Sequence, residues 1–204
     1  MMHQSKYAIM AALCIAGCGE SEESAEEDTD SVEDALTLGS APTRWSPGYA
    51  DAQDWSSEPA YWQTIQFADL NGDRRADICG RGAAGLYCAL SNGAAFESLT
   101  RWTAAYADAQ GWNVHPSYWH TIQFPDINGD RRADACGRGA AGLYCALSNG
   151  GAFGSLARWN TSYSDAQGWN VHPSYWQTIR FPDLSGNGKA DVCGRGAAGI
   201  HCAL

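Results

Sequence analysis

The chain has 204 residues, 45% of them hydrophobic and 18% charged, with 23 glycines, 9 tryptophans, 9 tyrosines and a formal net charge of -10. That length suits one ordinary domain or two small ones, and the glycine and aromatic excess over few charges excludes a coiled coil, a simple helical bundle and a basic nucleic-acid binder. Nine of the 23 carboxylates lie between Glu20 and Asp34 without a Lys or Arg among them; the other fourteen face twelve basic residues across 44–204, so net charge names no partner.

In chain order, Met1 to Lys6 is short, polar and positive, and Tyr7 to Gly17 is an apolar run too short to span a bilayer permanently. Together they predict a secretory signal over 1–17. The run closes on Ile15-Ala16-Gly17-Cys18, which resembles the lipobox of bacterial lipoproteins. The resemblance implies a lipid on Cys18 and, with Gly19 following, export to the outer membrane or cell surface. An ordinary cleaved signal with an incidental cysteine is the alternative. Residues 18–42, rich in Ser, Glu and Asp, cannot bury enough apolar surface to order themselves and read as an acidic tether.

From 43 to 204 the sequence repeats. Trp45, Trp102 and Trp159 are 57 residues apart, as are Asp69, Asp126 and Asp183, and Cys79, Cys136 and Cys193. The copies run over about 45–101, 102–158 and 159–204. Each holds short apolar or aromatic runs broken by Gly, Asn, Asp and Pro. Tyr118 to Phe124, Gly142 to Leu147 and Phe153 to Trp159 read as strands, and Ala133 to Cys136 leads into a Gly139-Ala140-Ala141-Gly142 turn. About four short strands in roughly fifty residues predict an all-β fold of three tandem propeller-type blades. Ala41-Pro42-Thr43-Arg44-Trp45 looks like the strands at Ser98-Leu99-Thr100-Arg101-Trp102 and Ser155-Leu156-Ala157-Arg158-Trp159, so it is a candidate to complete the last blade. Three blades are too few for the usual ring. Pairing with a second copy of the chain is one solution; a compact three-fold, trefoil-like single chain or a truncated gene product are the alternatives.

The eight cysteines divide into Cys14 in the signal, Cys18, and three pairs at 79/88, 136/145 and 193/202. Each pair flanks Cys-Gly-Arg-Gly-Ala-Ala-Gly. If Gly-Ala-Ala-Gly is the hairpin turn, the two thiols face each other across neighbouring strands, within reach of one disulfide per copy. Zinc would need four converging ligands, and C-x-x-C spacing is absent.

The strongest chemical motif is Asp69-Leu70-Asn71-Gly72-Asp73-Arg74-Arg75-Ala76-Asp77, repeated at Asp126 to Asp134. Side-chain oxygens of Asp69, Asn71, Asp73 and Asp77 with the carbonyl of Arg75, and equally of Asp126, Asn128, Asp130 and Asp134 with Arg132, are the donors a hard cation such as Ca2+ prefers. The third loop offers Asp183, Ser185, Asn187, Asp191 and the carbonyl of Lys189, one carboxylate fewer, and is expected to bind more weakly. A metal-free Asx turn is the alternative, although a turn alone does not demand the acid at position nine.

Asp-x-Asn-Gly-Asp-x-x-x-Asp in a strand-rich repeat resembles the FG-GAP/VCBS family, the integrin-type propeller repeat, over 43–204. The resemblance implies extracellular adhesion or lectin function, calcium loops bracing the blades and sugar sites between them. The short blade count and the cysteine pair in every copy depart from that pattern. Candidate sugar-binding residues are Trp112, Asn113, His115, Tyr118 and Trp119, with Trp169, Asn170, His172, Tyr175 and Trp176 as their counterparts. Core filling is the alternative reading, and the first one for any single tryptophan. Arg81, Arg138 and Arg195, each between two glycines, are surface ion-pair or ligand candidates; His120 and His201 read as solvated. No nucleophile elbow, zinc-protease or phosphate-loop motif is present. The expected function is a surface-anchored, calcium-binding carbohydrate or adhesion module without catalysis. A structural protein–protein module, or a carboxylate-based secreted hydrolase, are the alternatives.

Overall fold

The computed structural model describes residues 41–204; the signal peptide, Cys18 and the acidic tether up to residue 40 lie outside the described residues. Thr43–Leu204 forms one compact unit. Its framework is three β-hairpins whose arms join at Gly82–Gly85, Gly139–Gly142 and Gly196–Gly199.

The first sheet is antiparallel, in the order β1 (Gln66–Ala68), β2 (Asp77–Gly82), β3 (Gly85–Ala89), β4 (Thr100–Thr103). The second contains β5 (Ala135–Gly139), β6 (Gly142–Ala146) and β7 (Ala157–Asn160), and the third only β8 (Val192–Gly196) and β9 (Gly199–Ala203). Register is the same in all three hairpins: Cys79 faces Cys88, Cys136 faces Cys145 and Cys193 faces Cys202. Each pair is bridged, as the spacing predicts. The fold is therefore mostly β, with three small sheets, a few single-turn helices and no closed barrel among the described residues.

Glycine is required where the hairpin returns. A Cβ on Gly85 would stand 2.0 Å from the Thr103 carbonyl oxygen, and one on Gly142 2.1 Å from that of Asn160. Both residues have positive φ, so only glycine lets β4 and β7 close against their neighbours. Trp112 and Trp169 pack over the flat faces of Gly137 and Gly194 in the same manner.

Two stretches differ from the strand reading. Tyr118-Trp119 belongs to a short helix, Pro116–Trp119, and of the alternating run to Phe124 only Gln123 bridges Cys136. Pro116 at the first helical position and the His115 side chain, whose Nδ1 accepts from the Ser117 amide at 3.1 Å, fix that turn. The third run forms an isolated bridge at Phe153 and a strand only from Ala157.

The core has two parts. Leu70, Leu86, Trp102, Tyr106, Trp112, Trp119 and Ile122 cluster in one; Leu143, Tyr163, Trp169, Trp176, Ile179 and Val192 cluster in the other. Buried tyrosine hydroxyls tie the copies to the hairpins: Tyr106 Oη donates to the Ala135 carbonyl at 2.8 Å, and Tyr163 Oη to that of Val192 at 3.1 Å. Burial pushes the Tyr163 hydroxyl up to about 12.

Candidate functional site

The junction between successive copies is built on a buried ion pair. Arg81 on β2 pairs with Asp108 in the following 3₁₀ turn, Asp108–Gln110, and Arg138 on β5 pairs with Asp165 in the turn Asp165–Gln167. Both arginine side chains are fully buried, whereas the aspartates keep 29% and 28% exposure. Tyr61 Oη donates to the second oxygen of Asp108 at 2.9 Å, and Tyr118 Oη to that of Asp165 at 2.6 Å. Each guanidinium also lies over its tyrosine ring, at 5.7 Å for Arg81 on Tyr61 and 5.6 Å for Arg138 on Tyr118. The surface or ligand role expected of these arginines is thus corrected: Arg138 is a buried strut. Arg195 is exposed, reaching Ser174 Oγ at 2.9 Å.

Directly above the first junction lies a cavity of about 330 Å³, shared between two copies. Glu58, Pro59 and Tyr61 line one side, and Asp108, Asn113, Pro116 and Trp119 the other. It combines carboxylates, an amide and a phenol with one indole edge in a volume fit for a monosaccharide-sized ligand. At the second junction the same positions are His115, Pro116 and Tyr118 with Asp165, Asn170, Pro173 and Trp176.

A second type of depression occurs within each copy. Around Trp112, Tyr118, Gly139 and Tyr144 it measures about 490 Å³; its counterparts around Trp55 and Trp169 measure about 390 and 700 Å³. Its walls are mostly apolar.

The expected sugar-binding residues therefore separate. Trp112, Trp119, Trp169 and Trp176 are buried, each 8% exposed or less, too little for an open stacking face. Asn113, His115 and His172 are exposed, and Tyr118 and Tyr175 are half-buried. His115 and His172 cap their helices through Nδ1. Asp108, Asp165 and Tyr61 belong to no chemical motif of the sequence. The signal was there in the Asp-Ala-Gln triplet at 51, 108 and 165. His201 is exposed, and His120 sits edge-on to Trp176 with centroids 5.3 Å apart.

The carboxylate loops hold themselves together. Asp69 accepts from the amides of Gly72, Asp73 and Arg74 at 2.7, 3.1 and 2.7 Å, and Asp126 repeats the pattern. Asp73 is paired with Arg75 at 2.5 Å and Asp130 with Arg132 at 2.5 Å. The Asn71 side chain, the Arg75 amide and its guanidinium hold the Asp73 carboxyl below the usual range. Asp77 is buried and accepts from the Leu70 amide at 2.9 Å and the Ser91 amide at 2.8 Å. The acid at position nine thus ties its own loop to the Ser91 turn through two backbone amides. Burial raises the carboxyl of Asp77, and that of Asp134 to about 6, a direction a bound cation would oppose. Among the described residues no group of three or more His, Cys, Asp or Glu is poised around a metal position. The donor chemistry of the loop fits a hard cation; for one to enter, Arg75 or Arg132 has to leave its aspartate. In the third loop Asp183 accepts the corresponding amides, and Asn187 and Lys189 replace the ion pair.

No protein-family model matches the chain, and no curated protein does. Among solved structures it is similar to a lectin of Agrocybe aegerita described as recognising non-reducing terminal N-acetylglucosamine. That match has a TM-score of 0.61 and 34% identity, and covers 69% of this chain and 34% of the lectin. The chain thus matches about a third of the lectin's length. It also resembles part of the TcdB2-TccC3 structure without its hypervariable C-terminal region, with a TM-score of 0.52 and 16% identity over 68% of this chain and 6% of that one. That second likeness speaks to fold alone.

Proposed function

We propose that the chain is a non-catalytic carbohydrate-binding module of FG-GAP/VCBS-type propeller blades, and that it binds a terminal N-acetylhexosamine in the cavity at the junction of the first two copies. The observation that carries this reading is the 34% identity to a lectin described as specific for terminal N-acetylglucosamine. The mixed lining of the junction cavity supports it. Glu58, Asp108 and Asn113 can satisfy sugar hydroxyls, while Pro116 and the edge of Trp119 meet the C–H surface of the ring. The second junction repeats most of these positions, with His115 in the place of Glu58, and a further site there would let one body engage a multivalent glycan at two points.

Three disulfides mark an exported protein, and among the described residues no helix is long and apolar enough to cross a membrane. Within the proposal, the lipid on Cys18 tethers the module to a bacterial surface and calcium displaces the loop arginines as the countercharge of the Asp69 and Asp126 loops. A glycan array probed with the full chain, in calcium and in chelator, tests the reading. Retention on N-acetylglucosamine-terminated glycans is the expected result; a silent array would shift the assignment to protein contact.

A further inference from the structure

We propose that the first junction cavity also takes, through Glu58, a hexosamine whose amine is free and protonated. Resting on the glycan reading above, this extends the ligand class from acetylated to deacetylated sugars. Two acids line the cavity, and they differ in what they have left to offer. One oxygen of Asp108 pairs with the buried Arg81 and the other accepts from Tyr61 Oη, so its charge is countered from inside the fold. Glu58 is exposed and, among the described residues, joins no ion pair. No lysine, arginine or histidine lines the cavity, which therefore presents one uncompensated negative charge.

The other copies hold this position differently. His115 and His172 stand where Glu58 does, and each is tied to its own turn. His115 Nδ1 accepts from the Ser117 amide at 3.1 Å and lies 2.8 Å from Ser117 Oγ, and His172 does the same with Ser174. The first copy has neither member of that pair. Ala60 replaces the serine, so no hydroxyl reaches back. The backbone at Glu58 is as extended as at His115, yet the Glu58 side chain makes no cap hydrogen bond. The two replacements together release the side chain at this position from the helix and leave it to the cavity.

A protonated amino sugar matches this wall. Its ammonium brings three donors and a full positive charge to a carboxylate that has no cation of its own. Asn113 remains for a hydroxyl, while Pro59, Pro116 and Trp119 give the C–H surface of the ring an apolar neighbour within about 330 Å³. An acetamide carries no charge and draws on Glu58 as a neutral donor only, so this residue tells the two forms of one sugar apart. A sugar bearing a carboxylate or sulfate sets its anion against Glu58 and is disfavoured by the same charge. At the second junction, where His115 stands in its place, the preference has no counterpart.

Calorimetric titration of the full chain with glucosamine and with N-acetylglucosamine tests the proposal, at about pH 6, where an amine of the α-amino kind is protonated. In Glu58→Gln, which keeps the shape and an acceptor oxygen, glucosamine should lose about three- to five-fold more affinity than N-acetylglucosamine does, the upper range for an exposed ion pair. Contacts common to the two sugars cancel in that comparison. Added salt should weaken wild-type binding of glucosamine more than that of N-acetylglucosamine. Equal losses in the variant, equal salt dependence, or a wild type that binds N-acetylglucosamine but not glucosamine would overturn the proposal and leave the glycan reading standing. Methylammonium binding as tightly as glucosamine would overturn it too, since the sugar ring would then contribute nothing. Silence toward both sugars would overturn the glycan reading, and this extension with it.

Discussion

Arg138 is sealed from solvent between the second and third copies, yet Asp165, its ion-pair partner, keeps 28% exposure. The pair is therefore asymmetric: water can solvate the acid if the base is lost, but the buried base is stranded without solvent if the acid is lost. Asp165→Ala should accordingly cost about 3 kcal/mol or more, the range for stranding a buried charge. Arg138→Met, which keeps an apolar stem in the buried slot and leaves the acid to water, should cost less. Chemical denaturation of the two variants orders them; equal losses would mean that the pair is not the junction's strut.

Cys136–Cys145 closes a short hairpin loop. In the chain-entropy model such a closure stabilises by about 2–3 kcal/mol. The Cys136→Ala/Cys145→Ala double variant should lose that amount in denaturant midpoint analysis while keeping the β-sheet spectrum.

Partial burial and the positive charge of Arg180 lower the affinity of His120 for a proton. Above the unfolded value near 6.5 both states are neutral there and stability is unaffected; as pH falls through that value the unfolded chain takes the proton first and the fold loses stability. His120→Gln, which introduces the residue found at Gln63 and Gln177, should flatten the melting temperature between pH 7.5 and 5.5.

If calcium enters the Asp126 loop, Arg132 must leave Asp130. Removing that competitor by Arg132→Ala should tighten calcium binding by about two- to five-fold, the worth of a partly exposed pair. Calorimetric titration of the wild type and variant measures it directly, and tighter binding to the wild type would speak against displacement.

The hairpins and their disulfides are legible in the sequence because every determinant is local: glycines at the turn, cysteines at matched offsets and β-formers between them. The junction is not. Arg138 looks like a surface residue until Asp165, 27 residues on, is folded under it. The same holds for Asp77, whose partner amide on Ser91 comes from another turn. Alternation from Tyr118 to Phe124 imitates a strand, and the proline and histidine that start a helix there outweigh it. The nine tryptophans could be read as core or as sugar platforms; packing over Gly137 and Gly194 decides for the core at Trp112 and Trp169.

The central claim is that a terminal N-acetylhexosamine binds between copies, at a cavity edged by Asn113 and Trp119. Isothermal titration of the full chain with N-acetylglucosamine, beside the Asn113→Ala variant, addresses it most directly. Saturable heat is expected from the wild type, with a loss of at least tenfold in affinity in a variant that still melts normally. No heat from a folded wild type, or equal binding by both proteins, would contradict it.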